Sequence, residues 1–244
     1  LLALAWVGIT RPASAQQMVQ FSDSIPLMTT SWTSSVSIPR FDPNLGILKS
    51  VRVTLDGTIV GQAAFESTDN KPTTVSTTFS AVMTLFRPGG TSPITMITPA
   101  QMFTNMVSAF DGTIDFGGSS GMTFPGLNAM ETRVYTAPPP VSDLALFTGP
   151  GGAPGNIVLP VTVSGTSTGA GAGNLVLSFQ QQASATVTVV YTYNLDCDGD
   201  GISDEDELSM GAPDCNMNGL PDECDVPPDC NMNGIPDECE LTPD

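Results

Sequence analysis

The sequence predicts an all-β chain: an antiparallel β-sandwich, jelly-roll-like, followed by an irregular C-terminal tail of repeated acidic loops. Three observations carry that expectation. Between residues 16 and 194, runs rich in Val, Thr, Ile and Phe alternate with clusters of Gly, Pro, Asn and Asp, the punctuation of short strands and turns. No stretch there holds a 3.6-residue apolar period beyond about two turns, so helices are not expected to build the core. From residue 196 onward lie 16 of the 25 acidic residues and no Lys or Arg, whereas residues 16–194 carry 9 acidic and 6 basic residues. The net charge of −18 is thus a property of the tail. Such a tail repels nucleic acid and anionic lipid, and cations are its natural partners. A length of 244 residues suffices for one sizeable core with an appended module, and the chain divides into 1–15, 16–194 and 195–244.

Taken in order, residues 1–9 form an apolar run without an initiator Met, followed by Arg11-Pro-Ala-Ser-Ala15. This reads as the remnant of a secretory signal with an A-x-A cleavage site, so the mature chain is expected to begin near Gln16 with no membrane span. Val51, Val53 and Leu55 alternate with Arg52 and Thr54, and Asp56-Gly57 is expected to turn a hairpin into Thr58-Ile-Val60. A second Asp-Gly, Asp111-Gly112, follows Phe110 and precedes Thr113-Ile-Asp-Phe116. Residues 99–110 are the one expected helical turn. Late strands are expected at 157–163, 175–179 and 185–193, the last alternating through Val187, Val189 and Tyr191. Segments 89–93, 138–140 and 149–155 read as crossings between sheets. The Gly-rich run 165–173 reads as a flexible protruding loop. Short strands at this spacing predict two packed antiparallel sheets.

The tail opens with Asp196-Cys-Asp-Gly-Asp-Gly-Ile-Ser-Asp-Glu-Asp-Glu207, which fits the twelve-residue pattern D-x-[DN]-x-[DN]-G-x5-E of a Ca2+ loop. Asp196, Asp198 and Asp200 fill positions 1, 3 and 5, and Gly201 at position 6 permits the sharp bend that lets them converge. Ile202 offers its carbonyl at position 7, Asp204 stands at position 9, and Glu207 closes the shell with two oxygens. The pattern recurs with Asp214, Asn216, Asn218, the Leu220 carbonyl, Asp222 and Asp225, and again with Asp229, Asn231, Asn233, the Ile235 carbonyl, Asp237 and Glu240. A single match is compatible with a solvated acidic turn; three in tandem with the glycine in register point to calcium. The first loop has five carboxylate ligands and the others three with two Asn, so the later loops are expected to bind more weakly, toward roughly 0.1–1 mM. Successive loops 15 residues apart leave three residues between them. No EF-hand helices fit, and Pro221 and Pro236 at position 8 remove the amide that pairs two such loops. Calcium and disulfides must then supply the order that a segment this polar cannot draw from apolar burial. A stiff spacer when loaded, and a self-repelling chain without metal, is the expectation.

All five cysteines, Cys197, Cys215, Cys224, Cys230 and Cys239, lie in these loops. A thiolate zinc site is disfavoured, because the chain has no His and no C-x2-C pair, and each Cys stands among hard oxygen donors. Disulfides fit better and imply an oxidising compartment. Two pairings are open: within loops, Cys215 with Cys224 and Cys230 with Cys239; or between loops, Cys197 with Cys215 and Cys224 with Cys230. The second is favoured, because the 15-residue period puts Asp244 at the start of a further loop whose Cys would pair with Cys239. The sequence accordingly reads as truncated.

Four motifs, Phe41-Asp-Pro-Asn-Leu-Gly-Ile-Leu48, Phe110-Asp-Gly-Thr-Ile-Asp-Phe-Gly-Gly-Ser-Ser-Gly121, Leu146-Phe-Thr-Gly-Pro-Gly151 and Ala185-Thr-Val-Thr-Val-Val-Tyr-Thr-Tyr193, resemble the choice-of-anchor E domain of exported bacterial proteins. The resemblance covers nearly all of 16–194 and implies export, a β fold and surface attachment, with no reaction. The tail resembles thrombospondin type 3 and dockerin-like calcium repeats. It departs from them in the Cys at position 2 of each loop and in the lack of helix-length segments between loops, which puts dockerin-style helix pairing in doubt.

Little in the sequence points to chemistry. The absence of His removes the commonest general base. Asp111 and Asp115, the best carboxylate pair, read as turn formers, and Glu66 reads as a strand end beside a polar loop. Trp32, Tyr135, Tyr191 and Tyr193 offer a sugar-stacking platform, although core or rim positions are the commoner use of such rings. The expectation is a non-enzymatic structural protein of the cell surface or extracellular matrix, binding calcium and other surface components. A sharper form is a self-assembling fibre subunit in which residues 16–25 add to a neighbour's sheet edge. The alternative is a carbohydrate-binding or adhesion module with a glycan partner.

Overall fold

The computed structural model describes residues 16–90, 92–215 and 217–224. Its strands are β1 (Gln17–Thr29), β2 (Trp32–Pro39), β3 (Ile47–Ser67), β4 (Thr73–Phe86), β5 (Pro93–Ile97), β6 (Ala100–Val107), β7 (Gly121–Ala137), β8 (Asn156–Gly165), β9 (Thr168–Ala170) and β10 (Leu175–Asn194). Two short helices, α1 (Ser142–Phe147) and α2 (Asp204–Met210), complete it. One sheet has the order β1-β10-β3-β7 and the other β2-β8-β4-β5. Strands β5 and β6 run end to end along one flank of β4, with Ile97 opposite Met83 and Ala100 opposite Ser80. Strands β8 and β9 do the same on the other flank. The all-β antiparallel sandwich expected from the sequence is the observed fold.

Period-two alternation explains why the two sheets face each other. Val51, Val53, Leu55 and Ile59 of β3 and Ala183, Ala185, Val187, Val189 and Tyr191 of β10 point inward from one sheet. Val36 and Ile38 of β2, Phe79, Met83 and Leu85 of β4, and Ile157, Leu159 and Val161 of β8 meet them from the other. These residues form one continuous buried cluster.

Several local expectations fail, each because tertiary packing overrides a local signal. Asp56-Gly57 makes no turn: both residues lie inside β3, Gly57 opposite Ala185 on one side and Glu131 on the other. A Cβ at Gly57 would stand 2.4 Å from both Ile97 Cδ1 and Met83 Sδ of the facing sheet, so the glycine serves close approach of the sheets. Asp56 accepts a hydrogen bond from the Thr132 hydroxyl on the neighbouring strand. Residues 99–110 hold the strand β6, in which Phe103 stacks on Phe124 with ring centroids 4.3 Å apart. The segments 175–179 and 185–193 are one strand, β10, paired with β3 from Leu175 opposite Ser67 to Asn194 opposite Ile47. The Gly-rich run does not protrude freely, since β9 pairs with β4 and the Gly171 carbonyl accepts from the Thr73 hydroxyl at 2.9 Å. Asp111-Gly112 and the residues 113–116 after it lie in the loop between β6 and β7. Residues 17–25, expected as a free donor segment, are part of β1 and pair within their own sheet, Gln17 opposite Tyr193 and Ile25 opposite Ala185.

The tail begins at the end of β10 and is tied to the sandwich there. Lys49 Nζ meets Asp206 Oδ2 at 2.7 Å, Asn194 Nδ2 donates to Glu205 Oε2 at 2.7 Å, and the Asp204 amide donates to the Leu195 carbonyl at 3.0 Å. The Lys49 contact holds the Asp206 carboxyl below the usual carboxylate range.

Candidate metal centre

In the first loop every second side chain is turned inward by a hydrogen bond to the loop's own backbone. Asp196 accepts from the amides of Gly199 at 2.9 Å and Gly201 at 3.2 Å, Asp198 from Asp200 at 3.0 Å, and Asp200 from Ile202 at 2.7 Å. Asp204 reaches back to the Cys197 amide at 2.9 Å. The bends lie at Gly199 and Gly201, with φ of 76° and 95°. The carboxylate oxygens of Asp196, Asp198 and Asp200 converge within 4.8 Å of one another.

The second loop repeats most of this pattern, with position 1 accepting from positions 5 and 6 in place of 4 and 6. Asp214 accepts from Asn218 at 3.1 Å and Gly219 at 3.0 Å, Asn218 from Leu220 at 2.9 Å, and Asp222 from the Cys215 amide at 2.8 Å. Positions 4 and 6 again have positive φ, 55° at Met217 and 87° at Gly219. Ile202 and Leu220, the expected carbonyl ligands, are therefore anchored alike through their amides. Asn216, Asp225, Asp229, Asn231, Asn233, Ile235, Asp237 and Glu240, with Cys230, Cys239 and residues 1–15, lie outside the described residues.

Two expectations about the tail are corrected. A short helix does form at the end of the first loop: α2 starts inside the loop after Ser203, whose hydroxyl oxygen accepts from the Asp206 amide, runs three residues past Glu207 and stops at Gly211 with φ 100°. Room for it exists because Asp214 follows Asp196 by 18 residues, three more than the later period. The cysteine pairing is neither of those considered: Cys197 is bonded to Cys224, Cα to Cα 5.6 Å. Cys215 is disulfide-bonded as well. The bond puts the end of the second loop beside the start of the first.

That closure brings in Glu223, a residue absent from the expected ligand set. Its carboxylate lies with those of Asp198 and Glu207 in a second convergent group, again within 4.8 Å. Glu207 is only 9% exposed and its Oε2 has no hydrogen-bond partner; Asp204 is 3% exposed with Oδ2 likewise unpartnered. Burial, and then the negative charge of Glu223, Asp198 and Asp200, raises the Glu207 pKa. The donor set is hard oxygen throughout, and Cys197 and Cys224, which also approach Asp204, are committed to their disulfide. These residues fit a calcium ion better than a soft metal. A sequence signal for Glu223 exists: Glu recurs at position 10 of each loop, as Glu205, Glu223 and Glu238.

On the sandwich, Asp111 and Asp115 hold the loop between β6 and β7. Asp111 accepts from the amides of Thr113 at 3.1 Å and Ser119 at 3.2 Å, which lower its pKa, and Asp115 accepts from Gly117 at 2.9 Å. Glu66 stands at the end of β3, as expected, one residue before Ser67, and is fully buried there, Oε1 accepting from the Ser120 hydroxyl at 2.6 Å. The aromatic platform does not form. Tyr191 is buried, its hydroxyl donating to the Pro39 carbonyl at 2.8 Å, and desolvation raises its pKa. Tyr193 packs on Phe41, and Trp32 Nε1 donates to the Ala183 carbonyl at 3.3 Å. Tyr135 donates to Asp143 Oδ2 at 2.7 Å, beside a two-pronged Arg87–Asp143 pair at 2.7 and 3.0 Å. A groove of about 690 Å³ opens instead along Thr30, Ser31, Gln62, Phe179, Gln180 and Gln182, with no charged side chain in its lining. Among the described residues, no helix is long and apolar enough to cross a membrane.

The chain matches no family model and no curated protein. Among solved structures it is similar to a chain of Desmodium yellow mottle tymovirus at 9% identity and a TM-score of 0.21, covering 79% of this chain and 95% of that one. It is also similar to a chain of infectious bursal disease virus, Gx strain, at 14% identity and a TM-score of 0.18, covering 75% of this chain and 37% of that one. The VP2 subviral particle of infectious bursal disease virus gives 14% identity and a TM-score of 0.16 over the same shares. The fold assignment rests on the strand pairing described above.

Proposed function

We propose that this is an exported, non-enzymatic structural protein of the cell surface or extracellular matrix, a β-sandwich carried on a calcium-stapled tail. The observation that carries the proposal is the shared geometry of the two loops, in which side chains at positions 1, 5 and 9 accept the same backbone amides. Asp196, Asp198, Asp200 and Glu207 would hold the ion of the first loop, and Asp214, Asn218 and Asp222 belong to the set of the second. Bound calcium neutralises carboxylates that otherwise repel one another, and in a segment with few apolar contacts that neutralisation decides whether the chain is ordered. Export and surface attachment are supported by the disulfide, a bond that suits oxidising compartments, and by the choice-of-anchor E resemblance.

Self-association is part of the proposal. Residues 17–25 are not a free donor segment, because β1 pairs with β10, so a fibre contact would use an exposed sheet edge: the outer side of β1, β7 or β2. Isothermal titration of the chelated protein with calcium tests the tail, and electron microscopy in millimolar calcium and after chelation tests assembly. Calcium binding with ordered fibres supports both parts. An absence of binding removes the calcium staple, and dispersed particles in both conditions remove the fibre.

A second reading, carbohydrate binding, is favoured by the groove along Thr30, Gln62 and Gln180. Neutral hydrogen-bonding side chains with one aromatic wall, Phe179, suit an uncharged polyhydroxylated ligand. Glycan-array binding that disappears in Gln180→Ala would favour this reading. Retention of array binding in that variant would count against the groove.

A further inference from the structure

We propose that Glu223, from the second loop, is a ligand of the first loop's calcium ion, so that one ion clamps the two loops together. The inference rests on the calcium reading above and adds to it a bond between modules that the linear motif treats as separate. Oxygens around one calcium stand about 2.3–2.6 Å from it, so ligands on opposite sides lie roughly 5 Å apart. Two convergent groups meet that limit and share a residue: Asp196, Asp198 and Asp200, and Asp198, Glu207 and Glu223, each within 4.8 Å. The two groups meet at Asp198, the residue through which a single ion would draw on both. The second, independent observation is Glu207, a residue only 9% exposed whose buried Oε2 lacks any hydrogen-bond partner. A buried carboxylate oxygen without a donor, facing two more carboxylates, is costly unless a cation completes it.

The covalent frame fixes Glu223 in place. Its neighbour Cys224 is bonded to Cys197, which precedes Asp198, and the Cys224 amide donates to the Pro221 carbonyl at 2.8 Å. In the first loop the equivalent residue, Glu205, turns away to Asn194 Nδ2 at 2.7 Å. The same motif position thus does two jobs, tying the first loop to the sandwich and the second loop to the first.

Calcium titration of the disulfide-intact chain, with amide hydrogen exchange, tests this using wild type, Glu223→Gln and, as a control at the same motif position, Glu205→Gln. Wild type is expected to bind its first calcium tightly and to gain protection over residues 217–224 when only that site is filled. Glu223→Gln should weaken the first site about tenfold or more, since affinity in such loops follows ligand charge, and lose that early protection. Glu205→Gln should keep both. Wild-type affinity and protection in Glu223→Gln would overturn this inference alone, leaving separate calcium loops. If wild type binds no calcium, the calcium reading falls and this inference with it. A second disulfide-intact variant, Glu223→Ala, guards against rescue by the Gln carbonyl and is expected to lose at least as much.

Discussion

The sandwich and the tail solve the same problem, fixing a chain, by opposite means. In the sandwich, interdigitated Val, Ile, Leu, Phe and Tyr side chains leave water and hold two sheets together. In the first two calcium loops, carboxylates and amides take over: Asp196, Asp198, Asp200, Asp204, Asp214 and Asp222 all accept from backbone amides. A core of the first kind depends on volume and is indifferent to ions. An arrangement of the second kind depends on charge compensation and covalent closure. The two regions should therefore fail under different insults, and that separation is measurable.

The largest effect should come from emptying the core. Phe79→Ala removes a fully buried ring from the middle of the cluster and should cost about 3–5 kcal/mol of sandwich stability. Urea unfolding followed by Tyr and Trp fluorescence would show it, and calcium affinity of the tail should stay near wild type until the domain unfolds. If the tail lost calcium binding in step with the sandwich, the two regions would be one cooperative unit, with the contacts at Lys49 and Asn194 carrying the coupling.

The reverse experiment cuts the covalent link. Replacing Cys197 and Cys224 by Ser opens a closure spanning 27 residues, worth about 3–4 kcal/mol in chain entropy. Calcium affinity should fall by two orders of magnitude or more, at about 1.4 kcal/mol per tenfold. Sandwich stability, read by the same urea transition, should move little. A large drop in sandwich stability would mean that the tail is part of the domain.

Gly57→Ala probes the sheet-to-sheet contact with one methyl group. Because the added Cβ would fall 2.4 Å from Ile97 Cδ1 and Met83 Sδ, about 1–3 kcal/mol should be lost. The companion variant Met83→Ala should recover part of it, a non-additivity that a double-mutant cycle detects.

This position also shows where sequence reasoning stopped. Asp56-Gly57 looks like a turn when only the chain is read, and what makes it strand is the facing sheet, which no local pattern records. The inward faces of β3, β8 and β10 were legible because period-two alternation is a local property. The bends of both calcium loops were legible for the same reason, each motif fixing its own hydrogen bonds. The disulfide was not legible, and Glu223 showed only as a recurrent Glu at position 10 without its partners, because both depend on how the two loops sit together around α2. That helix depends in turn on three residues by which the first spacing exceeds the next.

A smaller effect separates buried charge from tail charge. Burial alone would raise the Asp143 pKa, but bonds from Arg87 and Tyr135 outweigh it and hold the carboxyl below its ordinary value. A folded pKa below the unfolded one means that the stabilisation is complete above about pH 4, the unfolded carboxylate value. It is lost as pH falls through the lower folded value. Asp143→Asn should flatten that acid limb of the sandwich's stability curve while costing about 1–3 kcal/mol at neutral pH. An unchanged acid limb would assign it to other carboxylates.

The smallest effect sharpens the comparison within the tail itself. At position 4 the first loop has Gly199 and the second has Met217, yet both take a positive φ, 76° and 55°. For a residue with a Cβ that conformation costs roughly 1–2 kcal/mol. Glycine avoids the strain but adds back about 0.4–1 kcal/mol of unfolded-chain entropy. Met217 is 89% exposed, so no packing is lost with its side chain. Met217→Gly should therefore stabilise the second loop by up to about 1 kcal/mol, near a fivefold gain in its calcium affinity, while the first site is unchanged. Weaker binding would mean that the methionine restrains the calcium-free chain more than it strains the folded loop. The difference between the two loops would then lie in the ligand charge that separates Asp198 and Asp200 from Asn216 and Asn218.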